Sequence, residues 1–496
     1  MKKNLRRALC LLLLAGFLTS LLPPAQAAEG YSDVPRSHWA YESVMAVTEA
    51  GLFDGVGRGR FHPQRHLTRA AFVTVLARFD GADLSAYQAS SFRDVPPAAW
   101  YGPAVEWAYR KGIVNGTGNG LFSPEQAIRR QDAAVMLIQY FNVRTMRDGQ
   151  IGYPLPRIVQ SVRMTDRSDC SDYALEKIIV MYRADVLRGY ADGAFRPKKL
   201  ITRAEGAAIF HRCLELVRRT DTNGYPVEQQ APLYCHAGIH NQYPRNSMES
   251  YVSAVNDYGY RFVETDVKFT KDEVAVCAHD NDLYKATQNE ALRGKTTRDF
   301  TYAELLQFPI TDGIPGCPDT VRIMKLADFL SFCRQNGLSA ILDVKTTLSD
   351  AEAKAIFASV RAAGMEESVI YSQPFDYMRS DGKYSVEALL CNAPKSADIA
   401  ISARGSGAVY NYNNFNAVMR IYQRYQSYVQ QGRIKHLFIG MGYSSLGDEY
   451  VLQCLRNQID FAIWSTANRA ETVRHINSAA YYIESDWRPA QMELYG

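Results

Sequence analysis

Phe262-Val263-Glu264-Thr265-Asp266 is the stretch on which the fold turns: an apolar start runs directly into two acids spaced i and i+2. Side chains two apart on a strand share one face, so both carboxylates point the same way. The same pattern, an apolar run closed by polar residues, recurs at Tyr234-Cys235 before His236-Ala237-Gly238, at Val274 to Cys277 before His279-Asp280, and at Ala340 to Leu342 before Asp343-Val344-Lys345. Val369 to Tyr371, Phe461 to Trp464 and Tyr481 to Ile483 add further short runs, with helical patterns between them. Alternating strand and helix units predict a parallel sheet. Polar groups gathered at strand C-terminal ends over about 260 residues predict a TIM-type (β/α)8 barrel with the site at its mouth. Residues 233–496 are assigned to it.

Two histidines, three carboxylates and a lysine thus converge on one rim. Glu264, Asp266 and Asp343 offer hard oxygen ligands without thiolates, which predicts one divalent cation, Ca²⁺ or Mg²⁺, rather than zinc. Such an ion would offset the charge of a phosphodiester. His236 and His279 suit proton transfer, one taking a proton from the attacking hydroxyl and the other giving one to the leaving alkoxide, with the order left open. Lys345 can hold a non-bridging phosphate oxygen as a point charge. His240, His436 and His475 are read as structural. Tyr410 to Phe415 reads as a polar aromatic loop. His436 to Met441 is either the sixth strand or an inserted one, with Glu387 to Asn392 the competitor, because periodicity does not separate them.

The first half repeats itself. Phe61-His62-Pro63 with Leu67-Thr68-Arg69-Ala70 returns as Phe122-Ser123-Pro124 with Ile128-Arg129-Arg130-Gln131, and as Phe195-Arg196-Pro197 with Ile201-Thr202-Arg203-Ala204-Glu205. An acidic turn precedes each, at Asp33, Asp94 and Asp166. A unit of helix, glycine turn, Phe-x-Pro loop and helix buries one face only against its copies, so three form one α-helical body. The repeats are placed at 28–85, 86–142 and 160–215, and the turn-rich 216–232 is expected to be the linker. Arg69, Arg130 and Arg203 each open a helix, where the positive helix end and a guanidinium fork suit an anion.

Lys2, Lys3, Arg6 and Arg7 precede an apolar run closed by Ala25-Gln26-Ala27, the pattern of a secretory signal peptide over 1–27. No later stretch is long and uncharged enough to span a membrane, so the mature chain is expected to be secreted without a transmembrane segment. Without those four cations the Lys+Arg count falls from 56 to match the 52 Asp+Glu, which argues against a nucleic-acid partner. The cysteines beyond Cys10 lack paired CxxC spacing and read as small buried hydrophobes.

Two resemblances follow from these motifs. The repeats resemble surface-layer homology domains, whose Thr-Arg-Ala-Glu signature is whole at Thr202 to Glu205 and partial at Thr68 to Ala71, while the second repeat keeps Arg130. That resemblance implies an anionic secondary cell-wall polymer as partner of Arg69, Arg130 and Arg203, and a place at the cell wall or S-layer surface. His236-Ala237-Gly238, Asn246-Ser247-Met248-Glu249, Glu264-Thr265-Asp266, Thr270-Lys271-Asp272 and His279-Asp280-Asn281-Asp282-Leu283, with Ile341 to Lys345, Trp464-Ser465 and Ser485-Asp486, resemble the glycerophosphodiester phosphodiesterases in order and spacing. That implies hydrolysis of a small phosphodiester to an alcohol and glycerol phosphate, with His236 and His279 as the acid/base pair and Glu264, Asp266 and Asp343 as the metal site. Asn246 and Lys345 become phosphate or metal-shell contacts, Trp464 packs on the alcohol, and Glu249 is a weaker candidate. Ala237 stands where the family usually has arginine. Two alternatives stay open here: a catalytically inactive surface binding module, and a phospholipase-like barrel acting on lipid headgroups.

Overall fold

The computed structural model describes residues 30–145, 155–159, 162–222, 233–375, 377–402, 412–442, 448–466, 472 and 475–486. The signal peptide expected over 1–27 lies outside them. The chain divides into two compact units, one of residues 1–133 with 198–218 and the other of 134–197 with 219–496. The division runs through the third repeat, so that 155–197 belongs with the barrel.

In the first unit the repeated motif explains itself. Asp33 accepts hydrogen bonds from the N–H groups of Phe61 and His62, both at 2.8 Å, and Asp94 from Phe122 and Ser123 at 2.8 and 2.7 Å. His62 and Ser123 both have positive φ, 57° and 59°, so each acidic turn holds a tight Phe-x-Pro loop in a costly backbone conformation. Behind the loops, Leu67 N–H donates to Ile201 O, Ile201 N–H to Ile128 O and Ile128 N–H to Leu67 O, at 2.9, 3.0 and 2.9 Å. One residue from each repeat thus closes a three-way ring. The helices Arg69–Asp80 and Arg130–Thr145 leave from it, as does Arg203–Thr222. This last helix continues through 216–222, so the stretch expected to be a linker begins inside a helix, and 223–232 lie outside the described residues.

The three arginines are not solvated helix-start cations. Arg69 and Arg130 are buried, and Arg69 Nε donates to Phe122 O at 2.9 Å with its guanidinium 4.7 Å from the Phe122 ring centre. Arg203 Nε donates to Phe61 O at 2.8 Å and its Nη2 to Asp54 O at 2.7 Å. Each of these two therefore clamps the Phe-x-Pro loop of another repeat. Arg69→Ala would strand the Phe122 carbonyl, and the full chain is expected to lose about 1–3 kcal/mol in the first unit, read as a lower unfolding midpoint.

The second unit holds eight parallel strands: β1 Leu233–Cys235, β2 Phe262–Phe269, β4 Ser339–Val344, β5 Val369–Pro374, β6 Asp398–Ser402, β7 His436–Gly442, β8 Phe461–Thr466 and β9 Ile483–Ser485. They follow one another around the barrel, and the β1–β2 pairing closes it. Tyr234, Phe262, Ile341, Ile370, Ala400, Phe438, Ala462 and Tyr482 form one buried cluster, drawn from all eight strands or their starts. Aromatic rings fill the room left by the two alanines, which makes the interior a packed core rather than a pore.

Three expectations need correction. Val274 to Cys277 does not supply a barrel strand: β3 Ala275–Cys277 runs antiparallel to β2 as a hairpin. The fifth barrel strand is β6, for which the sequence offers no signal, whereas His436 to Met441 lies in β7, the sixth of the eight, as one of the two readings expected. Residues 386–392 are helix, and so are 412–430, which removes the loop expected at 412–415, while 410 and 411 lie outside the described residues. The apolar part of β6, Ile399-Ala400-Ile401, is three residues long, too short for a periodicity to declare itself. Six of the eight described cysteines are buried, and no disulfide joins any two of them.

Candidate active site

Strand register builds the acidic cluster. Asp266 on β2 lies directly across from Asp343 on β4, and Glu264 sits two residues earlier on the same strand face. All three carboxylates are fully buried, with ligand oxygens within 4.8 Å of one another. Three buried carboxylates at this spacing repel unless cations join them. One is present: Lys345 Nζ lies 2.7 Å from Asp343 Oδ2 and 3.3 Å from Asp266 Oδ1. One ammonium does not neutralise three carboxylates, and Asp266 Oδ1 accepts no hydrogen bond from the described residues. A divalent cation fits that donor set, all hard oxygen and no sulfur.

Asn246 fixes the cluster from behind. Its side-chain oxygen accepts from Asp266 N–H, Thr265 Oγ1 and Tyr251 Oη at 2.9, 2.9 and 3.1 Å, and its amide donates to Asp266 Oδ2 at 2.8 Å. Asn246 is 1 % exposed and has φ 58°. It holds Asp266 through both its backbone N–H and its carboxylate, so Asn246 is placed to position Asp266. Gly238 is needed nearby, because a Cβ there would fall 2.1 Å from Ser250 Oγ, and its φ is +79°. Ala237 N–H donates to Glu264 Oε2 at 2.9 Å, which ties the loop after β1 to the cluster.

Both predicted histidines reach this rim, by different routes. His236 follows β1; its Nδ1 is 2.6 Å from Asp486 Oδ1 and its Nε2 4.0 Å from Glu264 Oε2. His279 arrives through the hairpin: the N–H of Ala278 bonds Asp266 O at 2.9 Å, which returns the chain to the carboxylates. His279 Nδ1 lies 3.1 Å from Asp280 Oδ1, and that hydrogen bond holds the imidazole above its usual range. Arg245 then locks Asp280 at 2.8 Å and also pairs with Asp312 at 3.2 Å. Burial alone would push the Asp280 carboxyl up, but its His279 and Arg245 partners hold it down.

Asp486, Asp280 and Arg245 were not singled out from the sequence, although Asp280 and Asp486 stand inside the quoted motifs. Their role depends on which ring nitrogen they meet, which spacing does not reveal. His240, read as structural, shares Asp486 with His236 at 3.1 Å. Trp464 lies within β8 and is half-buried, while Glu249 is exposed on the first turn of helix Met248–Asn256. His436 sits at the strand starts, paired with Asp460 at 2.9 Å. The arginines at 69, 130 and 203 lie in the other unit.

Comparison with known proteins assigns separate domains to the repeats and to the barrel, the third repeat match crossing the boundary between the two units. Residues 236–390 match the model of the glycerophosphoryl diester phosphodiesterase family, and 30–73, 91–134 and 163–207 match the S-layer homology domain. This chain joins a glycerophosphoryl diester phosphodiesterase family domain to three S-layer homology domains. The S-layer protein of Bacillus thuringiensis subsp. finitimus is 28% identical over 200 residues, 39% of this chain and 23% of that protein. The endoglucanase of Bacillus sp. (strain KSM-635) is 26% identical over 228 residues, 44% of this chain and 23% of its own length. The chain thus spans about a quarter of the length of these two curated relatives and less of others. Among solved structures, a glycerophosphodiester phosphodiesterase from Agrobacterium tumefaciens str. C58 covers 52% of this chain and 97% of its own, at 15% identity and TM-score 0.39. An Oleispira antarctica phosphodiesterase in complex with the product sn-glycerol-3-phosphate covers 51% and 92%, at 18% identity and TM-score 0.37. No described helix of the diesterase-family barrel or of the S-layer homology domains is long and apolar enough to cross a membrane.

Proposed function

We propose that this chain is an extracellular, cell-wall-anchored phosphodiesterase that hydrolyses glycerophosphodiesters to an alcohol and glycerol phosphate. The observation that carries the reading is the joint placement of two aspartate-held histidines beside the buried Glu264, Asp266 and Asp343 cluster. In each histidine Nδ1 is engaged by a carboxylate, so the proton moves at Nε2. One imidazole takes the proton of the attacking hydroxyl, and the other gives one to the leaving alkoxide. Lys345 contributes a point charge to a non-bridging phosphate oxygen. A Ca²⁺ or Mg²⁺ ion held by the three carboxylates would neutralise charge on the phosphate as it develops. Trp464 offers an aromatic surface to the alcohol. The attacking group is either the substrate's own vicinal hydroxyl, giving a cyclic product that water opens, or water directly; normal turnover of a diester without that hydroxyl would exclude the first route.

The S-layer homology domains support attachment to an anionic secondary wall polymer. Arg203, only partly buried, is the best placed of the three arginines to share its charge with a ligand. The full exported chain is expected to release alcohol and glycerol phosphate from glycerophosphocholine, to lose that activity on chelation, to regain it with Ca²⁺ or Mg²⁺, and to sediment with purified walls. Absence of release from soluble diesters and from vesicles alike, under every metal condition, would favour a binding module. Release from vesicles alone would point to lipid headgroups as the substrate.

A further inference from the structure

The strand starts, at the end of the barrel away from the active site, carry a second charged constellation. Asp398 and His436 open β6 and β7, Asp460 immediately precedes β8, and Tyr481 lies just before β9. Against them pack the segment from Val162, the short 3₁₀ turn Arg167–Asp169 and the helix Asp172–Arg183. Arg167 donates to Leu455 O and Val162 O at 2.6 and 2.7 Å, and Arg183 donates to Ala479 O at 2.6 Å and pairs with Asp460 at 2.8 Å. The closure is not flush: it leaves a cavity of about 760 Å³, lined by these groups together with Arg163, Lys435, Tyr422 and Tyr481. A (β/α)8 barrel usually packs this end for stability, and a cavity of this size falls within the range of small-ligand sites.

The charges in the cavity do not balance. Among the described residues its lining has four cationic side chains, Arg163, Arg167, Arg183 and Lys435, the last also paired with Glu367 at 3.4 Å, against the carboxylates of Asp398 and Asp460. Both carboxylates are already engaged, Asp460 by Arg183 and by His436 at 2.9 Å, and Asp398 Oδ2 by Lys435 at 3.3 Å. Arg167 is 7 % exposed, has no carboxylate partner among the described residues, and its Nε meets no acceptor. A buried guanidinium without an anion is costly, and burial together with nearby Arg183 pushes the Arg167 guanidinium below its usual range. Arg163 stands exposed at the same cavity without an ion-pair partner among the described residues. On the other wall Asp398 Oδ1 is buried and receives no hydrogen bond. The site therefore wants an acid on the arginine side and a hydroxyl donor on the Asp398 side, with the rings of Tyr422 and Tyr481 to pack against a carbon skeleton.

We propose that this basal cavity binds a polyhydroxylated anion, its acidic group held by Arg163 and Arg167 and a hydroxyl held by Asp398. Two sources share that chemistry, an acidic sugar of a surrounding polysaccharide and a polyol phosphate. Calorimetric titration of the full chain with glucuronate, sn-glycerol 3-phosphate, inorganic phosphate and glucose separates them. The expected result is saturable binding of glucuronate or glycerol phosphate, tighter than phosphate, with none of glucose; the tighter of the two identifies the source. Because glycerol phosphate also fits the active site, the decisive comparison is Arg163→Glu, an exposed change outside the catalytic machinery. It should weaken binding about tenfold or more while leaving diesterase turnover unchanged, since a charge-assisted contact is replaced by repulsion. Asp398→Ala, which removes the acceptor, should remove the preference for polyol anions over phosphate. Binding indifferent to Arg163→Glu, or inorganic phosphate bound as tightly as either polyol anion, would overturn the assignment.

Discussion

His236→Ala and His279→Ala are each expected to lower turnover by about a hundred- to ten-thousand-fold, the usual contribution of a positioned proton donor or acceptor. The double variant should be little worse than the poorer single one, because both imidazoles serve one displacement and removing either stalls it. The neighbours make the prediction sharper. Asp486 engages His236 and Asp280 engages His279, each at Nδ1. Substituting either aspartate by asparagine should therefore cost turnover through its own histidine and add little when that histidine is already alanine. The measurement is the rate of glycerol phosphate release at saturating substrate and metal. Losses below about tenfold in both single variants would remove the histidines from proton transfer.

Asp266→Asn should cost about a hundredfold or more, since a charge-neutralising metal contributes several kcal/mol to such a transition state. The substitution is nearly isosteric, and the side-chain oxygen can still accept from the Asn246 amide, which now meets Asp266 Oδ2 at 2.8 Å. What disappears is one of three buried negative charges. Folding of the metal-free chain should be unchanged or slightly favoured, because the remaining carboxylates repel less. Metal affinity, read by titrating activity back after chelation, should fall in parallel with turnover. Wild-type turnover after chelation and metal replacement would show that the ion is held elsewhere.

Much of this was written in the sequence because it is local. The i and i+2 spacing of Glu264 and Asp266 on a strand puts them on one face whatever surrounds them. The threefold return of the Phe-x-Pro loop and helix start fixed the repeats, because a structural period is also a period in the text. What only tertiary structure decided was whichever property depends on partners distant along the chain. Asp343 belongs with Asp266 through the β2–β4 register, and His279 reaches the rim through a hairpin rather than a barrel strand. Asn246, which its motif offers as a phosphate or metal-shell contact, is buried and hydrogen-bonded to Asp266, a placement its spacing does not reveal. Arg69 and Arg203, which the sequence offers as anion-binding helix starts, spend hydrogen bonds on the backbone of other repeats. The unmatched Arg167 could not be anticipated at all. Charge balance is a property of a folded volume, and the residues that set it there come from 163 to 481, distant in sequence and adjacent only once the barrel has closed.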